Sequence, residues 1–167
     1  MTPRHEVRAV VNGQAHEAWV DDRTTLGDLL REEWGLTGTR LGCEHGVCGA
    51  CTVLVEAEPQ RACLVLARQV DGRVVTTVEG IAHTDGRLSE VQEAFREAHG
   101  LQCGFCTAGM IVTAHALLEQ DDDPDPDTIR DWMHGNLCRC SGYDQIVDSV
   151  RLAAERRRSC DVVEGHR

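Results

Sequence analysis

Apolar and polar positions change rhythm along this chain. Between residues 5 and 20 they alternate, with Val7, Ala9 and Val11 on one side of an extended segment and Asn12-Gly13 able to take positive φ. That pattern predicts a hairpin closed by a tight turn. The period then lengthens to that of a helix: Leu26, Leu29, Leu30 and Trp34 share one face. Thr25 and Asp28 are spaced as a capping box, and Gly35 stands where such a helix stops. A glycine-rich loop from Gly38 to Cys51 follows. Short apolar segments over 52–55 and 63–66 flank an expected turn at Glu58-Pro59, and Val74, Val75 and Val78 mark a strand ending near Gly80.

Beyond this point the pattern is helical throughout. Val91, Ala94, Phe95 and Ala98 form one face, opened by Ser89 and Gln92 as a second capping box. Met110, Ile111, Ala114, Leu117 and Leu118 form another. Asp121 to Asp127 reads as a solvated loop, Ile129, Trp132 and Met133 as a third helix stopped by Gly135, and Ile146, Val147, Val150, Ala153 and Ala154 as a fourth. The expected organisation is an α+β unit over residues 1–82, an all-α unit over 83–158, and a frayed tail over 159–167.

Composition sharpens this picture. With 41% hydrophobic and 27% charged residues the chain reads as globular, yet only six large aromatic rings serve 167 residues. So thin a core needs other support, and nine cysteines offer it. The net charge of −11 argues against nucleic acid, because the only basic run is Arg156-Arg157-Arg158. No apolar stretch is long enough for a membrane segment, and residues 1–6 lack the apolar core of an export signal. A cytoplasmic chain is expected, in which clustered cysteines bind metal rather than pair as disulfides.

Eight of the cysteines fall into two sets. Cys43, Cys48 and Cys51 have the spacing C-x4-C-x2-C and are followed by Cys63, the arrangement that holds a plant-type 2Fe–2S cluster. Gly42, Gly46 and Gly49 let the loop bend sharply and aim N–H groups at sulfur. Zinc more often uses two short C-x2-C pairs, and a Rieske centre would need a second C-x2-H after Cys43-x-His45. The second set is Cys103 and Cys106 before one helix, with Cys138 and Cys140 after another. Spacing alone favours a second cluster and leaves zinc open there; thiol redox proteins place C-x-x-C near a βαβ unit, and none is visible, while helix ends and Arg139 favour thiolate. Cys160 belongs to neither set and is expected to be a free thiol. His45, His99, His115 and His134 are expected at the surface or in packing, not as ligands.

The stretches LTGTRLGCEHGVCGACTVLV, RACLVLA, VTTVEG, LQCGFCTAGM and GNLCRCSGY, in that order across residues 36–143, resemble the small iron–sulfur subunit of the molybdenum hydroxylases, the xanthine dehydrogenase and aldehyde oxidase family. The resemblance implies a plant-ferredoxin-like β-grasp domain followed by an all-α four-helix domain, each holding one 2Fe–2S cluster. It implies that electrons pass from a molybdopterin centre, as its cytosine dinucleotide, through the Cys103/Cys106/Cys138/Cys140 cluster and then the Cys43/Cys48/Cys51/Cys63 cluster to FAD. Molybdopterin would lie on a large partner subunit and FAD on a medium one, in a heterotrimer or its dimer. Gln102 and Cys140 match positions that contact molybdopterin. Relatives act on purines, aldehydes, N-heterocycles, carbon monoxide or acyl-CoA thioesters through a pocket on the partner, so no catalytic residue is expected here. The chain departs from the family at Ala108, where proline is usual. A stand-alone two-cluster ferredoxin, a structural zinc protein and a two-chain enzyme without flavin are the rival expectations.

Overall fold

The computed structural model of the protein describes the backbone of residues 4–164 and the side chains through Ser159. The thiol of Cys160 therefore lies outside the described residues. The first half is built on a mixed five-stranded sheet in the order β2-β1-β5-β3-β4. Strands β1 (Arg4–Val11) and β2 (Gln14–Asp21) form the expected hairpin, with Asn12 and Gly13 at φ of 52° and 79° in its turn. A short helix α1 (Leu26–Asp28) continues into a wide π turn over Leu29–Glu33, and the Thr25–Asp28 capping box is present. Gly35 follows at φ +68°, in the left-handed region that ends the helix.

Three expectations in this half are corrected. The turn lies at Glu56-Ala57, both at positive φ, so Pro59 sits inside β4 (Glu58–Arg61) opposite Leu54 of β3 (Thr52–Val55). A proline is tolerated there because β4 is an edge strand whose outer side lacks a partner. Residues 63–66 are not a strand; they form a turn carrying the single bridge of Leu66 to Thr25. Strand β5 (Val74–Thr76) runs parallel to β1 and antiparallel to β3, and Val78 begins a 3-10 turn, Val78–Ile81, instead of extending the strand.

The second half contains four helices: α2 (Glu90–Glu97), α3 (Thr107–Leu118), α4 (Pro126–Met133) and α5 (Tyr143–Glu164). Ser89 and Gln92 form the predicted capping box on α2. The solvated loop is shorter than expected, because Asp125 caps α4 by accepting from the Asp127 and Thr128 N–H groups and Pro126 begins the helix. Helix α5 also runs on through 159–164, where a frayed tail was expected. Arg156, Arg157 and Arg158 pair with Glu97, Glu119 and Asp123, which holds the last turns against α2 and the loop after α3.

Each half has its own core. Val7, Val11, Leu26, Leu29, Leu30 and Val53 fill the first, and Phe95, Met110, Leu117, Ile129, Ile146 and Val150 the second. Among the described residues Phe95 is the only aromatic ring buried completely; Trp19, Phe105 and Tyr143 are each more than 40% exposed. Leu54 leaves its own sheet's core and joins that of the helices. Helix α3 covers β3 at this point, and a Cβ at Gly109 would lie 2.2 Å from the Gly49 carbonyl oxygen. Gly109→Ala should therefore force the halves apart and cost about 3 kcal/mol, measured as a lowered urea midpoint.

His115, half-buried on α3, has its pKa lowered from 6.5 chiefly by burial. The unfolded chain then takes up a proton before the folded one, so stability is full above about pH 6.5 and declines as pH falls below it. His115→Gln should flatten that acid limb in melting curves recorded across the same range.

Candidate metal centre

The loop before β3 turns back on itself through Glu44, Gly46 and Gly49, at φ of 55°, 87° and 70°. This curvature faces backbone donors inward. The Cys43 thiol is lowered to about 6, first by the His45 N–H and then by the N–H groups of Cys48 and Val47. Cys43 and Cys48 are within hydrogen-bonding reach of one another, as are Cys51 and Cys63. Burial pushes the Cys63 thiol up to about 11, although the Gly46 N–H works against it. All four sequence-predicted sulfurs of the first set thus come together, with Cys51 and Cys63 buried and Cys43 and Cys48 partly exposed. His45 is exposed and turns its ring to the Cys43 carbonyl.

The second set converges in the same two-by-two manner. Cys103 meets Cys140, and Cys106 meets Cys138. Cys106 stands at the N-cap of α3, Gly104 bends the chain at φ +80°, and Cys138 and Cys140 occupy the short loop between α4 and α5. The Phe105 N–H is the largest influence lowering the exposed Cys103 thiol, whereas burial drives Cys106 up to about 12. The phenol oxygen of Tyr143 accepts from the Cys138 N–H at 3.0 Å. Gln102 is exposed and its Nε2 lies 3.4 Å from the Cys140 carbonyl, so both residues expected to face molybdopterin share one surface.

This donor set suits a two-iron cluster better than a single ion. The thiols meet in pairs, Cys43 with Cys48, Cys51 with Cys63, Cys103 with Cys140 and Cys106 with Cys138, which fits two irons taking two thiolates each. The Thr107 hydroxyl beside Cys106 is also buried without a hydrogen-bond partner among the described residues.

The two loops touch. The Leu137 N–H, next to Cys138, donates to the Cys48 carbonyl at 2.8 Å. Beside it the buried Asn136 donates to the Gly49 carbonyl at 3.1 Å, and Arg61 donates to the Gly135 carbonyl at 2.7 Å. Sequence reasoning missed Asn136, Leu137, Arg61 and Gly109. Their one local signal is a glycine and an asparagine placed beside the clustered cysteines or within an apolar helix.

Comparison with known proteins agrees with the cysteine geometry. Residues 9–78 match a 2Fe–2S iron–sulfur cluster binding domain and residues 77–151 a [2Fe–2S] binding domain. The chain is 51% identical over 150 residues to the caffeine dehydrogenase subunit gamma of Pseudomonas sp. (strain CBB1), covering 88% of this chain and 89% of that one. It is also 51% identical over 147 residues to the nicotine 6-hydroxylase small subunit of Paenarthrobacter nicotinovorans, covering 88% of this chain and 88% of that one.

The chain belongs to the small iron–sulfur subunits of the molybdenum hydroxylases. A chain of quinoline 2-oxidoreductase from Pseudomonas putida 86 superposes on this subunit with a TM-score of 0.89 and 46% identity, covering 93% of this chain and 97% of that one. The subunit is the iron–sulfur component of an oxidoreductase with larger partners, and its two 2Fe–2S binding domains support an electron-transfer role. Among the described residues no helix is long and apolar enough to cross a membrane.

Within the subunit, Gly46 is doubly constrained, by φ +87° and by Leu64 Cδ1 only 2.4 Å from where a Cβ would be. Gly46→Ala should empty the first site and spare the second. Iron per purified chain should fall from about four toward about two.

Proposed function

We propose that this subunit relays electrons inside a molybdenum-dependent hydroxylase or dehydrogenase. In this reading Cys43, Cys48, Cys51 and Cys63 hold one 2Fe–2S cluster in a plant-ferredoxin-like β-grasp unit, residues 1–82. Cys103, Cys106, Cys138 and Cys140 hold another in a four-helix unit, residues 83–158. Such clusters, when bound, supply one-electron redox chemistry. The helical unit accepts electrons from the molybdopterin side, where Gln102 and Cys140 present their exposed edge. The ferredoxin-like unit delivers them to FAD. Molybdopterin, as its cytosine dinucleotide, belongs to a large partner and FAD to a medium one, in a cytoplasmic heterotrimer or its dimer.

The observation that carries this reading is the Leu137 N–H···O=C bond to Cys48. From the α-carbon of Cys48 to that of Cys138, the route runs through one hydrogen bond and one intervening residue. A relay needs such a short, fixed crossing between its two centres. A free carrier with independent clusters has no use for it.

Two functions of the chain's own residues follow. The inward N–H groups of the Gly46 loop stabilise negative charge on the first sulfur set, which raises the tendency of that site to accept an electron. Burial of Cys51, Cys63 and Cys138 keeps water from part of each site, while the exposed Cys103 leaves an entry edge.

The test is Cys48→Ser in the complex purified with its partners. Substrate should still reduce the molybdenum and the second cluster, while reduction of the flavin should fall at least tenfold. Unchanged signals from both clusters, together with normal flavin reduction, would overturn the ligand assignment. Purification of the native chain as a coloured protein with no partner would favour the stand-alone ferredoxin.

A further inference from the structure

Asn136 is 1% exposed and lies two residues before Cys138. Its carboxamide is fully engaged. Nδ2 donates to the Gly49 carbonyl at 3.1 Å and reaches Thr52 Oγ1 at 3.5 Å, while Oδ1 accepts from Thr113 Oγ1 at 3.2 Å and Arg61 Nη2 at 3.4 Å. Gly49 lies between Cys48 and Cys51, so this side chain grips the first cysteine loop from within the second. No other uncharged side chain of this length can both donate to a carbonyl and accept from a hydroxyl and a guanidinium. Leucine would fill the space and make none of these bonds; aspartate would set an acceptor against the Gly49 carbonyl.

The main chain beside Asn136 makes the crossing itself, since Leu137 N–H donates to the Cys48 carbonyl. A one-residue offset joins the two bonds: 136 to 49 and 137 to 48. The side-chain bond fixes the peptide that the main-chain bond needs. We infer that Asn136 is the positioning residue that sets electronic coupling between the two cluster sites, by holding the Leu137–Cys48 hydrogen bond in register. The inference rests on the two-cluster relay proposed above. Asn136 is buried and acts through the bonds its carboxamide holds.

The arrangement also accounts for Gly109 and Gly49. A Cβ at Gly49 would lie 2.6 Å from the Gly135 carbonyl and 2.8 Å from Asn136 Cγ, and one at Gly109 would lie 2.2 Å from the Gly49 carbonyl. Asn136 can reach Gly49 only because both positions lack a side chain. The close approach is built from two directions around one carboxamide.

Asn136→Asp and Asn136→Leu should be made in the complete complex, with Ser89→Ala as a destabilised control in the same half. In the fully reduced native complex, magnetic interaction between the two paramagnetic clusters splits their low-temperature resonance lines. Both Asn136 variants should retain iron at the native level yet lose part of that splitting and transfer electrons between clusters more slowly. Ser89→Ala should leave splitting and rate unchanged. A loaded Asn136 variant with native splitting and native transfer would overturn the inference. If neither variant loads iron, Thr113→Val combined with Arg61→Leu decides, because together they leave the carboxamide and remove both bonds to its oxygen: reduced splitting supports the role and native splitting refutes it. A native complex without two cluster signals would instead defeat the relay reading on which this rests.

Discussion

The Gly49 carbonyl is where the two halves of the subunit are tied. It accepts from the Thr52 main-chain N–H at 3.1 Å, from the Thr52 hydroxyl at 2.6 Å and from Asn136 Nδ2 at 3.1 Å. The Gly109 α-carbon packs onto it so closely that no side chain fits between. A buried carbonyl without donors would cost more than most single contacts return, so these partners come as a set. Two of them belong to the sheet half and one to the helical half. The same peptide lies inside the first cysteine loop, so the geometry that joins the halves also shapes the first thiol set.

Much of this was legible in local sequence. Both capping boxes, the Asn12-Gly13 turn and the left-handed Gly35 depend on residues within four positions of each other, and each is present as read. The cysteine sets were legible for a related reason: spacing fixes which sulfurs a bent loop can bring together. The errors came where tertiary context outweighed local habit. Glu56 and Ala57 take positive φ although neither is a common choice there, so nothing marked the turn. Pro59 resembled a turn residue, and β4 accepts it only because the sheet ends there. Pro126 resembled loop and proved to be the first residue of a helix.

What could not be read was the pairing of distant segments. Arg61 and Gly135 are 74 positions apart, and Asn136 and Gly49 are 87. Neither period nor propensity encodes such a contact. Asn136 and Gly109 look ordinary in sequence because their reason lies on the other half of the chain. Gly109 interrupts an otherwise apolar helix at a real cost in helix propensity, which makes sense only once β3 and its preceding loop are laid against it.

The thin aromatic core now has a physical place in the design. Three of six rings are largely exposed, and Phe105 is one of them, with its edge 3.1 Å from where a Gly42 Cβ would be. Aliphatic packing holds each half, and where Leu54 and α3 meet at the seam a polar set is added: Arg61, Thr52, Thr113 and Asn136 with main-chain carbonyls. Polar seams are directional where apolar ones are not. An apolar interface would tolerate small slides between the halves, and each slide would change the distance between the two thiol sets. Hydrogen bonds of defined length at Leu137, Asn136 and Arg61 remove that freedom. These bonds add register to the apolar packing at Leu54, which is the property an electron path across the seam would require.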